Sequence, residues 1–163
     1  MEDDYDIDIL LTLNPHGWST CWIIKERKNF ELVISHVFGD PYFDLIQALT
    51  GLINNKEEVT FFWYREPGGE KIEISRIKER RHEVRVLISG FQESFEEAIK
   101  DFKPTVEFQI KLKQLIIIMY FQLRKTFVLL KDKEYSKNRP NSFPFEEYMK
   151  FEKLASEYLG LKK

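Results

Sequence analysis

Hydrophobic and polar positions alternate at the start of the chain. Tyr5, Ile7 and Ile9 fall on one side and Asp6 and Asp8 on the other. A period of two predicts a strand with one buried face over residues 5–14. Asn14-Pro15-His16-Gly17 is turn chemistry, because Pro presets φ and Gly accepts positive φ. A returning strand follows from Thr20 to Lys25, then a polar turn at Glu26-Arg27-Lys28-Asn29. A third strand runs from Phe30 to Phe38, with Phe30, Leu32, Ile34 and His36 on one face. The period then changes. Phe43, Ile46, Leu49 and Ile53 lie at helical spacing, behind Asp40 as a cap and Pro41 at the first helical position. This predicts a helix from Pro41 to Asn54.

Alternation returns at Glu58 to Arg65, where Val59, Phe61 and Trp63 interleave with Thr60, Phe62 and Tyr64. Large apolar groups on both sides predict a central strand, covered on both faces. Glu66-Pro67-Gly68-Gly69 turns the chain into a strand over Lys71 to Ile77, and Glu79-Arg80-Arg81 turns it again into a strand over His82 to Ser89. Three strands joined by short turns form an antiparallel meander. Trp63 is expected beneath a helix, with Gly68 or Gly69 at positive φ. Ser94-Phe95-Glu96-Glu97 matches a capping box and predicts a helix from Phe95 to Phe102, ended by Pro104. Thr105 to Ile110 reads as a last strand or as the front of the next helix. Leu112, Leu115, Ile116, Met119, Leu123, Phe127 and Leu130 give a long helix from Lys111 to about Tyr135. Pro144 opens a final helix, Phe145 to Leu159, with Gly160 as its stop. The expectation is one α+β domain over residues 1–163: an antiparallel sheet of about six strands with two or three helices packed on one face.

Composition narrows the function classes. The 163 residues carry 25 basic and 27 acidic side chains, a net charge of −2. That balance argues against bulk electrostatic attachment to nucleic acid. The acidic start, Met1 to Asp6, has no signal-peptide character, and the longest apolar run, Leu115 to Phe121, is too short for a bilayer. A cytoplasmic protein without membrane contact is expected. The single cysteine, Cys21, allows neither an internal disulfide nor a cysteine-based zinc site. It reads as a small packed side chain, not a nucleophile. His16, His36 and His82 lie on separate elements without metal-ligand spacing, and His36 reads as a hydrogen-bonded core histidine. Among the acidic pairs, Glu57/Glu58 diverge on a strand, Asp6/Asp8 share a solvent face, and Glu96/Glu97 and Glu146/Glu147 suit first helical turns. Pro67-Gly68-Gly69 lacks the Lys-Ser/Thr pair and following helix of a phosphate loop. No catalytic, cofactor or metal residue is assigned.

The densest basic stretch is Arg76, Lys78, Arg80, Arg81 and Arg85. If Arg76, Lys78 and Arg80 share a face beside Trp63 or Tyr64, that face is a candidate binding surface for an acidic partner or single-stranded nucleic acid. The competing reading is a solvated sheet face with edge-protecting charges.

The order from Asp40-Pro41 through Leu45, Ile46 and Leu49 to Val59-Thr60-Phe61-Phe62-Trp63-Tyr64-Arg65-Glu66-Pro67-Gly68-Gly69 carries a family likeness, as does Phe143-Pro144-Phe145. It resembles a loose group of small bacterial proteins with a Trp-x-x-Glu-Pro-Gly hairpin, some of which look like immunity proteins of polymorphic toxin systems. The resemblance implies strands before a helix, then the hairpin, then a long helix near the end, with a bacterial origin. It transfers no catalytic residues. The expected function is a non-enzymatic protein-binding module that neutralises a toxin. The alternatives are a small enzyme whose carboxylates or histidines converge only in three dimensions and, more weakly, nucleic-acid binding through the Arg76–Arg85 strand face.

Overall fold

The computed structural model describes residues 6–92, 101–139 and 143–161. Among these residues seven strands form two antiparallel sheets, and each sheet is a meander of consecutive strands. The first holds β1 (Ile7–Asn14), β2 (Trp18–Lys25) and β3 (Lys28–Ser35) in that order. The second holds β4 (Glu58–Tyr64), β5 (Gly69–Ile77), β6 (Arg80–Phe91) and β7 (Phe102–Lys111). Helix α1 (Pro41–Ile53) connects them. Helices α2 (Leu112–Leu129), α3 (Lys133–Ser136) and α4 (Phe145–Leu159) follow. The α+β class with antiparallel pairing is as expected, but the strands are split between two sheets. The helical interruption at Pro41–Ile53 divides them, and β3 meets β4 only in side-by-side contact.

Period two does its work in both sheets. Ile7, Ile9, Leu11 and Leu13 of β1 point inward with Cys21, Ile23, Leu32 and Ile34 of its neighbours. Phe61, Trp63, Ile72, Ile74, Val86, Ile88 and Phe108 form the inner face of the second sheet. The two inner faces, with Leu45 and Leu49 of α1 and Leu115 and Met119 of α2, surround one small space lined wholly by apolar atoms. Burial of that area is the main favourable term in folding. Helix α2 covers β1 and the β6–β7 end, α1 covers β4, and α4 packs against both helices.

Several boundaries differ from expectation. The third strand stops at Ser35, and residues 36–39 leave the sheet, with Val37 70% and Phe38 48% exposed. The strand with apolar groups on both sides, β4, lies at the edge of its sheet and not at its centre. Its Trp63 side is buried, while Phe62 and Tyr64 are half-buried on the outer face. Phe102 opens β7 instead of closing a helix, and Asp101 before it is not helical; residues 95–100 of the expected helix, with its capping box at Ser94, lie outside the described residues. Pro104 sits within β7, an edge strand that tolerates a missing N–H. The long helix ends at Leu129, and α3 takes up the four residues from Lys133 after a turn.

The hairpin behaves as its chemistry requires. Gly68 has φ +82°, and a Cβ there would strike the Phe91 carbonyl oxygen. Trp63 is 3% exposed, and its indole Nε1–H donates to the Pro41 carbonyl at 3.1 Å in the first turn of α1. Replacing Gly68 with Ala is predicted to lower unfolding free energy by about 2 kcal/mol, through backbone strain and collision. Trp63→Phe is predicted to cost about 2 kcal/mol, from the orphaned carbonyl and lost contacts. Urea denaturation of each variant measures this, and a change below about 0.5 kcal/mol for either would show that the site relaxes freely.

Candidate aromatic interaction surface

The outer face of the second sheet is set by register. Phe62 pairs with Lys71 and Tyr64 with Gly69 across β4 and β5; Gly69 pairs with Phe91 on β6, and Phe91 with Phe102 on β7. Paired residues share a face, so four aromatic rings gather at the hairpin end. Gly69 makes the closure possible: a Cβ there would stand 2.9 Å from Phe91 Cζ. Across the bare backbone, Tyr64 and Phe91 meet edge to face at 5.9 Å between centroids. Phe62 contacts Tyr64 at 6.3 Å and Phe91 at 6.0 Å, and Phe91 contacts Phe102 at 5.8 Å. Lys71 Nζ lies 4.7 Å above the Phe102 ring. At the other end Phe38, on the loop after β3, meets Tyr64 at 5.9 Å. The result is a continuous aromatic strip from buried Phe91 to exposed Phe38. Offset and edge-to-face pairs of this kind hold their rings rigid at small entropic cost.

Charged groups frame the strip and are matched. Lys71 reaches Glu73 at 3.1 Å and Arg85 reaches Glu107 at 2.6 Å. Arg65 lies 3.6 Å from Glu70, whose other carboxylate oxygen accepts from Thr105 Oγ1 at 3.2 Å. Glu70 is 4% exposed, on the inner face opposite Trp63. Burial raises its pKa, and Arg65 and the Thr105 hydroxyl oppose that rise without cancelling it.

Of the residues singled out from sequence, only Tyr64 belongs to this strip. Trp63 faces the core beneath α1. Arg76 is spent on backbone: its guanidinium donates to the carbonyls of Leu52, Lys56 and Arg81, fastening the end of α1 and the turn after it. Arg80 pairs with Glu83 at 3.1 Å and donates to Gln109. Arg81 holds Glu57 through both carboxylate oxygens. Lys78 is exposed in the turn. The basic stretch is thus distributed over carboxylates and carbonyls. Phe62 was expected beneath a second layer and instead lies half-buried on the outer face of an edge strand. Phe91 and Phe102 were missed because they sit at element ends, and Phe38 because it lies on the loop after β3; periodicity gives no signal at either place.

The other expected candidates are placed as follows. Cys21 is fully buried, which pushes its thiol up to about 12 and makes it inert. His16 lies at φ +66° in the β1–β2 turn, and His82 is exposed beside Glu83. His36, half-buried just past β3, has its Nε2 2.7 Å from Ser19 Oγ. Ser19 has no exposure, so this contact holds no reachable nucleophile. Among the described residues no group of His, Cys, Asp and Glu is arranged to hold a metal ion.

Two predictions follow from these placements. Arg76→Ala is expected to lose about 1–2 kcal/mol of stability, since three carbonyls lose a donor, whereas Lys78→Ala stays within about 0.5 kcal/mol. Equal effects in urea titrations would mean that Arg76 does not fasten α1. Glu70 gives a pH signature. Its folded pKa lies above the unfolded value of 4.5, so the folded state binds the proton more tightly and stability falls as pH rises through that window. Glu70→Gln should therefore raise Tm at pH 7 and lose this advantage below about pH 4.5. A constant Tm difference across that range would count against a raised Glu70.

Compared with known protein families, curated proteins and solved structures, the chain matches none.

Proposed function

We infer that this chain is a non-enzymatic protein-binding module that seats a protein partner on Phe38, Tyr64, Phe62 and Phe102, gathered around the buried Phe91 ring. The observation that carries this reading is ring continuity from a buried anchor to an exposed tip. Phe91 is 3% exposed, Phe38 is 48% exposed, and each ring between them touches the next. Rigid aromatic groups that need no reordering are what energetic centres of protein interfaces are made of. The matched charges around the strip suit the polar rim of such an interface. They suit phosphate poorly, because Arg85 and Lys71 would have to leave Glu107 and Glu73 first. This favours a protein over single-stranded nucleic acid on this face.

The likeness of the Trp63-to-Gly68 hairpin to immunity-type bacterial proteins supplies the biological half of the reading: cytoplasmic neutralisation of a toxin. A toxin partner would be the product of the gene immediately upstream, and that polypeptide is the probe. Calorimetric titration is expected to show saturable binding by the wild-type chain. The double variant Val37→Glu with Phe38→Glu should weaken it about 100-fold at unchanged Tm, because both side chains are exposed and carry no core contact. Unchanged affinity in that variant would refute this surface. Absence of binding together with salt-sensitive retention on an oligonucleotide column would move the function to nucleic acid.

A further inference from the structure

The outermost strand of a sheet leaves a row of backbone groups to be met from elsewhere. The two sheets have four such edges, at β1, β3, β4 and β7. Three of them are blunted. On β1 the Ile9 N–H donates to Asp8 Oδ1 at 2.8 Å and the Leu11 N–H to Gln122 Oε1 at 3.1 Å, while the Leu13 carbonyl accepts from Tyr135 and Arg139. On β7 Pro104 removes a donor, the register shifts between its partners Ile88 and Ser89, and Lys25 Nζ caps the Glu107 carbonyl at 2.6 Å. Strand β3 opens with exposed Lys28, Asn29 and Glu31, a polar run that resists pairing.

Strand β4 has none of these devices. Its pairing with β5 runs without a shift from Glu58 to Tyr64. Two backbone bonds bracket it: the Arg76 N–H donates to the Glu57 carbonyl at 2.8 Å, and the Arg65 N–H to the Gly68 carbonyl at 2.9 Å. Glu57 and Arg65 therefore face β5, and alternation turns Val59, Phe61 and Trp63 the same way. Glu58, Thr60, Phe62 and Tyr64 direct their N–H and C=O groups away from β5, and no described residue bonds them. The run Val59-Thr60-Phe61-Phe62-Trp63-Tyr64 is β-branched or aromatic throughout, uncharged, and free of Pro and Gly. On an open edge that composition is a template for another strand.

The side chains of the same four residues lie on the outer face of the sheet. Phe62 and Tyr64 belong to the aromatic strip, and Phe38 reaches Tyr64 from the loop after β3. Glu58 and Thr60 border a cleft of about 170 Å³ on that face, with Glu73, Ser75, Arg85 and Leu87. Glu73 is matched by Lys71, and Arg85 by Glu107. Glu58 has no cation beside it among the described residues. A strand added to β4 would lie about 4.8 Å beyond it, and residues paired across the new ladder would share its outer face. One such residue falls beside Phe62 or Tyr64, and another beside Glu58 at the mouth of the cleft. β4 carries no basic residue, so the same strand of a second copy cannot meet Glu58.

We propose that the protein partner adds an extended strand to the free edge of β4, with apolar side chains beside Phe62 and Tyr64 and a lysine or arginine at Glu58. This names the form of the partner that the aromatic surface receives, and it rests on the binding reading above. Backbone bonds along Glu58, Thr60, Phe62 and Tyr64 supply attachment, and the alternate side chains supply selection.

The test is amide hydrogen exchange of the full chain, read residue by residue by NMR, alone and with the polypeptide encoded immediately upstream. In the free chain the amides of Glu58, Thr60, Phe62 and Tyr64 should exchange at least about 100-fold faster than those of Val59, Phe61 and Trp63. With the partner bound, the four fast amides should slow by about the same factor. An edge position whose N–H bonds nothing tolerates proline, so Thr60→Pro should fold and weaken binding about 100-fold. Glu58→Lys, an exposed change that breaks no contact, should weaken binding about 10-fold at unchanged Tm. Should Thr60→Pro not fold, exchange and Glu58→Lys decide between them. Four edge amides already as slow as their neighbours in the free chain would overturn the open edge. Edge amides that slow with protein concentration alone would assign the edge to a second copy and overturn the partner strand. Binding that leaves the edge amides fast but is weakened by the Val37/Phe38 double variant would overturn strand addition and leave the aromatic surface standing. No binding to a chain whose edge amides are fast would refute the binding reading and this occupant with it.

Discussion

The indole of Trp63 is the joint on which the arrangement depends. One hydrogen bond, from its Nε1 to the Pro41 carbonyl, fixes the edge of the second sheet to the first turn of α1. The donor and acceptor are both out of water, so each needs the other. That joint decides which side of β4 is inside. With Trp63 turned inward beside Phe61, the alternation sends Phe62 and Tyr64 outward. It also places the start of α1, and hence the loop before it, against the end of β4 where Phe38 meets Tyr64. The core and the proposed interaction surface are two faces of one constraint.

The polar interactions sort into those that build and those that frame. Arg76 ties the Leu52 carbonyl at the end of α1 to those of Lys56, just beyond it, and Arg81, on β6. Lys25 Nζ donates to the Glu107 carbonyl on β7, a cross-link from the first sheet to the edge of the second. Leu11 N–H donates to Gln122 Oε1, which joins the open side of β1 to α2. The exposed pairs, Arg85 with Glu107 and Arg81 with Glu57, are screened and add little to stability. Their consequence is for the surface: they leave it patterned but nearly neutral.

The meander from β4 to β6 and the helices α1 and α4 were legible because period two, period 3.6 and strong turn residues all agreed there. Trp63 under α1 and positive φ at Gly68 followed from the same signals. The division into two sheets was not legible. Alternation gives the face of a strand and not its neighbour, and nothing in β3 or β4 states that they fail to pair. The mistaken placement of β4 at the centre has a related cause. Two apolar faces meant a buried face plus an aromatic cluster, which periodicity cannot tell from burial on both sides. The basic stretch misled for another reason. Sequence shows where Arg76 and Arg80 are but not that Leu52, Glu83 and Gln109, far along the chain, take up their donors.

Each sheet pairs only strands that follow one another, with order β1-β2-β3 and β4-β5-β6-β7. Either ladder can be zipped by closing loops of a few residues, apart from the connection between β6 and β7. Closure entropy rises with loop length, so these steps are cheap. The expensive closure lies elsewhere. Gln122 is 111 positions from Leu11, and seating α2 on β1 must bring those two points together. The fold therefore concentrates its topological cost in docking the helical C-terminal part on β1 and α1, and keeps both sheets local in contact order.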